Sequence, residues 1–181
     1  MVGGQDELIF DGNSFAYNHC GDLINIAKAF EEDLIIIDTG SKIEKKNRNY
    51  CREETLYSAL CLGVRDYFSK TGHKKSVLGL SGGIDSSLTA CIAVDSLGKD
   101  NVMGIAMPSE FSSEHSKTDA LQLAQNLGLS IETIEIKNMV NESLKCLSPL
   151  FKDSPSNVAE ENIQARIRGL VLMAISNKFG W

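Results

Sequence analysis

The sequence predicts an α/β protein whose main part is an open, doubly wound parallel sheet, with a short β-rich segment before it. Two observations lead to this fold class. After residue 51, short apolar runs alternate with segments whose apolar residues recur at helical spacing. Before residue 40, the chain is strand-like and rich in turn residues. Strands that alternate with helices pair in parallel through right-handed crossovers, so we expect helices on both faces of the sheet.

The β-rich segment holds several strand candidates. Residues 7–11 form a short apolar run, residues 14–18 alternate between apolar and polar, and residues 33–38 form a β-branched run. The dipeptide Gly12-Asn13 is typical of a hairpin turn. Residues 23–30 fit a strand or a helix on period alone.

A polar and charged stretch over residues 39–49 has no apolar period and predicts a linker. We therefore expect a first domain of residues 1–40, a linker of residues 41–50 and a second domain of residues 51–181.

Helices and strands are predicted to alternate in the second domain. The helices cover residues 52–70, 85–97, 113–127, 139–151 and 157–179, and the strands cover residues 76–80, 101–107 and 130–136. Gly98 and Gly128 stop two of the helices, and Pro149 is expected to break a third. Ser156 or Asn157 caps the last helix.

Composition excludes several classes of protein. The 181 residues are 43% apolar, enough to bury a core, and the net charge of -6 without a basic stripe does not indicate a nucleic-acid partner. There is no apolar stretch long enough to span a bilayer and no signal peptide. The five cysteines are odd in number and scattered, which indicates reduced thiols in the cytoplasm. The three histidines are too far apart in the sequence to suggest a zinc site.

The segment "GLSGGIDSS", residues 79–87, joins a predicted strand to a predicted helix. Such a turn forms an anion site, because a helix N-terminus presents unpaired N–H groups. Gly82 and Gly83 allow positive φ and a close approach of a ligand. Asp85 would repel a phosphate unless a hard cation such as Mg²⁺ bridges the two. Hydroxyl donors to phosphate oxygens would come from Ser81, Ser86 and Ser87. The alternative interpretation is a plain strand-to-helix turn; the lysine of a GxxxxGK[ST] loop is absent.

The segment "SGGIDS" resembles the SGGxDS pyrophosphate loop of the N-type ATP pyrophosphatases. Three longer segments, "LGLSGGIDSSLTACIAVDSLG", "NVMGIAMPSEFSS" and "EENIQARIRGLVLMAISNKFGW", resemble the glutamine-dependent NAD synthetases. The first forty residues are similar to the tail of the nitrilase-like glutaminase domain that precedes the synthetase in such proteins. The resemblance covers nearly the whole chain and implies a Rossmann-like pyrophosphatase fold.

The activity that the resemblance implies is ATP-dependent amidation of deamido-NAD to NAD, through an adenylated intermediate, with ammonia from glutamine. It implies Mg²⁺ as a cofactor and a cytoplasmic homo-oligomer formed through the synthetase domain. Asp85 would be a magnesium ligand and, with Ser81, catalytic, and Asn162 and Arg166 would bind deamido-NAD. The ATP-binding residues carried over are Gly79, Leu80, Ser81, Gly82, Gly83, Ile84, Asp85 and Ser86.

Asn162 and Arg166 are separated by four residues, so they lie on one face of the last predicted helix, and Arg168 lies off that face. Taken alone, "QARIR" fits a solvated basic edge of a surface helix. The segment "SEFSS", residues 109–113, is by itself a polar loop and helix cap, and the resemblance places it near the adenosine pocket.

The sequence also departs from the family pattern. The glutaminase triad lies upstream of the tail seen here, so no cysteine of this chain inherits the nucleophile role. The family continues after "NKFGW" into a segment with a second acidic magnesium ligand, and later into a closing loop. We therefore expect an internal fragment of a longer protein that does not make NAD by itself.

Two alternatives remain open. Another SGGxDS pyrophosphatase, similar to GMP synthetase, asparagine synthetase or a tRNA-modifying enzyme, would share the loop, but "NIQARIRG" is not expected after it. A non-catalytic ATP-binding module would hold the nucleotide without turning it over. Titration with ATP–Mg²⁺ and with deamido-NAD separates these alternatives.

Overall fold

The computed structural model describes residues 1–38, 51–108, 114–152 and 154–181, without the side chains of residues 114 and 117. The chain divides into two compact units, Met1–Gly72 and His73–Trp181. The predicted linker of residues 41–50 lies outside the described residues. The assignment of residues 1–40 and 51–181 to two domains stays a prediction, and the compact units divide at Gly72 instead.

The first unit contains two antiparallel strand pairs and one long helix. β1 (Val2–Gln5) pairs with β2 (Leu8–Asp11), and β3 (Phe15–Tyr17) pairs with β4 (Leu23–Ile26). The segment that fitted either a strand or a helix is therefore a strand at its start. The helix α1 (Arg52–Thr71) ends at Gly72, which takes the left-handed conformation with φ 76°, as glycine at such a position commonly does.

The hairpin predicted at Gly12-Asn13 is wrong, although its local conformation is right. Both residues have positive φ, 76° and 45°, which hairpin turns of the favoured types require. However, β2 pairs with the preceding strand, β1, and not with β3. Gly12 instead donates its N–H to the carbonyl of Met1 at 2.9 Å and forms a bridge with Ala29. The Gly12-Asn13 signal predicts the backbone angles at the turn, whereas the pairing of the strands depends on the other strands of the unit.

The strand predicted over residues 33–38 is also wrong, because the structure gives this run no regular secondary structure. Leu34 and Ile36 are 90% and 92% exposed. β-Branched residues favour strands because they pack well on a pleated, half-buried surface. Among the described residues this run pairs with no strand, so its β-branched side chains have no pleated surface to pack on.

The second unit is a three-stranded parallel sheet in the order β5 (Ser76–Leu80), β6 (Val102–Ala106), β7 (Ser130–Thr133). In the β5–β6 register, Leu78 lies opposite Gly104, and in the β6–β7 register Gly104 lies opposite Ile131. The helices are α2 (Ile84–Leu97), α3 (Glu114–Leu127), α4 (Lys137–Phe151) and α5 (Val158–Phe179), with a short 3₁₀ turn at Lys99–Asn101 before β6.

Two apolar clusters line this sheet, which confirms the doubly wound α/β class. Alternate strand residues point to opposite faces, so neighbours such as Val102 and Met103 belong to different clusters. The first cluster joins the strands to α2 and α3 and contains Leu78, Leu80, Ala90, Ala93, Val102, Ala120, Ala124 and Leu129. The second joins them to α4 and α5 and contains Ile105, Met107, Ile136, Val140, Ile167 and Val171.

The predicted helix ends hold where a cap or a glycine marks them. Asn157 caps α5: its side chain accepts from the N–H of Ala159 at 2.8 Å, and its own N–H donates to Glu160 at 2.7 Å. This reciprocal pair is a capping box. The bond from the N–H of Asn157 holds the pKa of Glu160 below its ordinary value. Gly98 and Gly128 have φ of 83° and 67° where α2 and α3 end.

The break predicted at Pro149 is wrong, since α4 runs through it to Phe151. Proline has no N–H, so the carbonyl of Lys145 loses its helical donor. The hydroxyl of Ser148 replaces that donor, at 2.9 Å from the Lys145 oxygen. The strand predicted over residues 130–136 is shorter, ending at Thr133, although Ile134 still donates to the Ala106 carbonyl at 2.9 Å.

Candidate nucleotide site

The turn between β5 and α2 has a backbone that only glycine fits at one position. Gly82 has φ 77°, and a Cβ there would overlap the carbonyl oxygen of Ser116 and lie 2.8 Å from its carbonyl carbon. Gly82 therefore packs directly on the backbone of the first turns of α3. Gly83 has φ -84° and ψ 159°, so the expectation of positive φ is right for Gly82 and wrong for Gly83.

The loop hydroxyls make hydrogen bonds within the turn. Ser86 and Ser87 donate their hydroxyls to the carbonyl of Gly83, at 3.0 and 2.9 Å. Ser81 Oγ accepts from the N–H of Gly83 at 3.2 Å and lies 3.1 Å from Ser86 Oγ. Because the proton of Ser86 is directed to Gly83, the hydroxyl of Ser81 is the donor of that last pair. Their predicted use as donors to phosphate would require these internal bonds to open.

The helix α2 begins without a capping side chain, because its N-cap residue is Gly83. The first N–H groups of a helix have no intrahelical acceptor. Capping hydroxyls or carboxylates usually satisfy them. An anion would find free amide groups and the positive end of the helix dipole at this position.

A cleft of about 640 Å³ opens where this turn leaves the sheet. Its volume is in the range of small-molecule sites. It lies at the carboxyl ends of the parallel strands, which is the usual ligand position in open α/β sheets. The cleft is lined by Gly79, Leu80, Ser81, Ala106, Met107, Pro108, Ser116, Ala120, Leu121, Thr133, Ala165, Arg168, Gly169 and Leu172.

The structure brings part of the predicted ATP loop to this cleft. Gly79, Leu80 and Ser81 line it. The other predicted ATP residues, Gly82, Gly83, Ile84, Asp85 and Ser86, follow in the turn and the first turn of α2 but are not among the lining residues. Ile84 is 80% exposed, so its side chain has no role in the core.

The predicted metal ligand, Asp85, lies exposed in the first turn of α2. In the described ranges no three His, Cys, Asp or Glu side chains cluster closely enough to hold a metal ion. Mg²⁺ is usually held by one or two carboxylates together with substrate phosphates and water. The exposed carboxylate of Asp85, next to a turn with free helical N–H groups, fits that arrangement.

The predicted deamido-NAD residues, Asn162 and Arg166, lie together but away from the loop. Both line a second cleft, of about 630 Å³, beside α4 and α5, with Ser143, Leu147 and Phe151 among its walls. Both side chains are exposed. The structure therefore bears out their shared helical face and gives that face a different cleft from the one that the turn borders.

Sequence reasoning missed Arg168 as a residue of the loop's cleft. Arg168 is half-buried, lines the cleft, and donates from Nε to the carbonyl of Met107 at 3.4 Å. Helical spacing places Arg168 and Leu172 on one face of the last helix, but the sequence does not show that this face borders the turn. The second missed group, Ala106 to Pro108 and Thr133, follows from the rule that parallel strands end at one edge.

All five cysteines are free thiols. Of the helices that the structure describes, none is long and apolar enough to cross a membrane.

Two relatives with similar sequences are named for the same activity, and a family profile agrees with them. The sequence profile of NAD synthase matches residues 56–181, more than half of the chain. A glutamine-dependent NAD(+) synthetase of Synechocystis is 52% identical over 188 aligned positions, which cover 99% of this chain and 33% of the relative. The corresponding enzyme of Thermotoga maritima is 42% identical, over 100% of this chain and 38% of the relative.

A solved structure of a protein with the same name also matches this chain. The glutamine-dependent NAD+ synthetase of Acinetobacter baumannii, in complex with ADP, matches 99% of this chain with a TM-score of 0.93 and 42% identity. This chain covers 35% of that one. The chain thus spans about a third of the length of the relatives that it matches.

Proposed function

Because the chain belongs to the NAD synthase family, we propose that it forms the ATP-binding part of an enzyme that amidates deamido-NAD to NAD. The observation that carries this proposal is the strand–glycine turn–helix unit at residues 76–97, opening on a cleft at the carboxyl edge of the sheet. The relatives are named glutamine-dependent NAD(+) synthetases, and the ammonia would accordingly come from glutamine.

The proposed reaction has two steps. The nicotinate carboxylate of deamido-NAD attacks the α-phosphorus of ATP, the bond to the β-phosphate oxygen breaks, and pyrophosphate leaves. Ammonia then attacks the activated carbonyl carbon, the bond to AMP breaks, and the amide of NAD forms with loss of a proton. The first step develops charge on the leaving pyrophosphate, so groups that stabilise negative charge beside it lower the barrier.

The turn and the start of α2 supply such groups. The N–H groups of the first turn of α2 are uncapped, and Gly82 keeps the turn packed on the backbone of Ser116. Residues 79–81 line the cleft and would lie next to the phosphates. Asp85 would hold Mg²⁺, which neutralises phosphate charge when bound. Ser81 and Asp85 would be the catalytic residues, as the family pattern implies.

Asn162 and Arg166 would contact deamido-NAD from the second cleft. Arginine forms charge-assisted hydrogen bonds with phosphate and carboxylate groups, and both groups occur in that substrate. The apolar walls of this cleft, such as Leu147 and Ile163, suit an aromatic ring. ATP and deamido-NAD would therefore be held by different faces of α5.

We further propose a homo-oligomer in the cytoplasm, without nucleic-acid or membrane partners. The free cysteines support the cytoplasmic location, and the net charge of -6 argues against a nucleic-acid partner. Size-exclusion chromatography with light scattering measures the oligomeric state directly.

The test of the proposed function is NAD formation by the full-length protein that carries this sequence. We expect NAD from deamido-NAD, ATP–Mg²⁺ and ammonium, and Asp85→Asn should remove most of this turnover at limiting Mg²⁺. The circular dichroism melting curve should not change, because Asp85 is exposed. Asp119→Asn, at an exposed position of α3, is the matched control. ATP binding without any NAD formation would instead indicate a nucleotide-binding module.

A further inference from the structure

The cleft beside the turn contains one charged side chain among its described lining residues, that of Arg168. All the other residues of the wall are apolar, glycine, serine or threonine. The turn itself carries no lysine or arginine, and its one charged residue is the acidic Asp85. A ligand with several negative charges would therefore meet a single cationic side chain in the described wall.

The hydroxyls of the turn do not provide free hydrogen-bond donors for such a ligand. The protons of Ser81, Ser86 and Ser87 are all engaged within the turn. What the turn still offers next to the cleft is the backbone N–H groups at the start of α2, which carry partial charges only. A polyphosphate needs stronger compensation than partial charges when it leaves water for a mostly apolar cleft.

The side chain of Arg168 is held in place at its inner end. Its Nε donates to the carbonyl of Met107, just beyond the end of β6. A guanidinium has five N–H donors in a planar fork, and one of them is used here. Since the residue is half-buried and lines the cleft, this anchor restricts the directions in which the remaining donors point.

We propose that Arg168 binds the phosphate groups of the nucleotide that occupies the cleft beside the turn. The residue supplies the positive charge that a lysine supplies in other phosphate loops, and it does so from α5 instead of from the turn. Its planar fork suits bidentate bonds to phosphate oxygens. The identity of the nucleotide rests on the proposed function, whereas the inference itself concerns the binding of a polyphosphate.

Arg166 provides an internal comparison on the same helix. It is two residues away, carries the same side chain, and lines the second cleft with Asn162. A loss of charge at Arg166 changes the net charge of the protein as much as a loss at Arg168. Any effect that arises from the overall charge of the protein therefore occurs in both variants.

The experiment measures dissociation constants by calorimetry on the full chain and three variants: Arg168→Gln, Arg168→Lys and Arg166→Gln. The titrants are ATP, inorganic tripolyphosphate and adenosine, with Mg²⁺ present. Arg168→Gln should weaken ATP and tripolyphosphate by about 10- to 100-fold, the range expected for loss of a hydrogen bond to a charged group. Adenosine binding should change by less than about 2-fold, and Arg168→Lys should recover part of the loss because it keeps the charge.

Arg166→Gln should leave the affinities for ATP and tripolyphosphate within about 2-fold of the parent, because it lines the other cleft. The proposal is overturned if Arg168→Gln leaves tripolyphosphate binding unchanged, if it weakens adenosine as much as ATP, or if the parent chain binds neither anion. Equal losses in the Arg168 and Arg166 variants would also contradict it. Arg168-dependent anion binding without NAD formation would leave the inference standing and reject the proposed function.

Discussion

Gly82 restricts the shape of the turn between β5 and α2. Its φ of 77° disfavours any side chain, and the space where a Cβ would lie is occupied by the backbone of Ser116. Backbone cannot move aside as the end of a flexible side chain can. Gly83, next in the chain, has an ordinary extended conformation, and the atom nearest to its hypothetical Cβ is Ser81 Oγ at 3.3 Å.

We therefore expect Gly82→Ala to lower the free energy of unfolding by at least about 2 kcal/mol, from the left-handed backbone and the steric overlap together. Gly83→Ala is the matched control and should cost less than about 1 kcal/mol. Urea denaturation of the full chain measures both. Similar losses in the two variants would show that the turn can relax around a methyl group at either position.

Asp66, on α1, contacts β1 through one hydrogen bond, and its neighbour Lys70 makes a second bond to the same strand. The Asp66 carboxylate accepts from the N–H of Gly4 at 2.7 Å and from Lys70 Nζ at 3.0 Å, and Lys70 also donates to the Gly4 carbonyl. The bond from Lys70, followed by that from Gly4, holds the pKa of Asp66 below its ordinary value.

A lowered pKa in the folded state gives a definite sign to the pH dependence. The stabilisation is fully present above the pKa of the unfolded chain, about 4, and is lost as the pH falls through the lower folded-state value. Asp66→Asn should therefore flatten the fall in the free energy of unfolding below about pH 4. Asp6→Asn, in the exposed turn between β1 and β2, is the control. An unchanged acid limb in Asp66→Asn would contradict the assignment.

At the scale of elements, local signals were sufficient where they act on the helix itself. The capping pair of Asn157 and Glu160, and the glycines at 98 and 128, set helix ends that the sequence predicts to within a few residues. Where the outcome depends on a partner elsewhere, the same reasoning failed. The run at residues 33–38 lacked a strand to pair with, and Gly12-Asn13 lay between strands whose partners are other segments.

At Pro149 a side-chain hydrogen bond compensates for a lost backbone bond, and helix propensities do not include this effect. A proline near the end of a helix leaves one carbonyl without a donor, and the hydroxyl of Ser148 supplies that donor to Lys145. The helix continues to Phe151 as a result. Serine hydroxyls often make such local bonds to backbone carbonyls, so the pair Ser148-Pro149 is informative where either residue alone is not.

We expect Ser148→Ala to lower the free energy of unfolding by up to about 1 kcal/mol, because the carbonyl of Lys145 loses its donor at an exposed position. In a Pro149→Ala background the same substitution should cost about half as much or less, since the alanine N–H restores the helical bond. Urea denaturation of the four members of this double-mutant cycle gives the coupling energy. Equal costs of Ser148→Ala in both backgrounds would rule out the compensation.

At the scale of the whole molecule, the sequence predicted the turn well and the cleft around it poorly. The residues of the turn are contiguous, so their spacing is visible in the text. Arg168, Met107 and Thr133 meet the turn only because parallel strands end at one edge and α5 packs beside them. Asn162 and Arg166 were grouped correctly by their spacing, and the sequence did not predict that they line a separate cleft.

If ATP and deamido-NAD bind in different clefts, a substitution in one cleft should change the KM of one substrate only. Arg166→Ala in the full-length enzyme should raise the KM for deamido-NAD by about 10-fold or more, the loss expected for one charge-assisted hydrogen bond. The KM for ATP should change by less than about 2-fold. Steady-state kinetics with each substrate varied in turn measure the difference. Equal changes in both KM values would indicate that Arg166 supports the structure of α5 and does not bind substrate.

The packing of Gly82 on Ser116 also has a consequence for the order in which the protein folds. β5, the turn and α2 are neighbours in the chain and can form early from local contacts. The final path of the turn is set by the start of α3. Because α3 follows β6 in the chain, we expect it to dock after β6 has joined the sheet. In a refolding experiment we therefore expect helix signal to return before the capacity to bind a nucleotide. That capacity should reappear with the step that positions α3, so that a fluorescent ATP analogue would report the completion of folding.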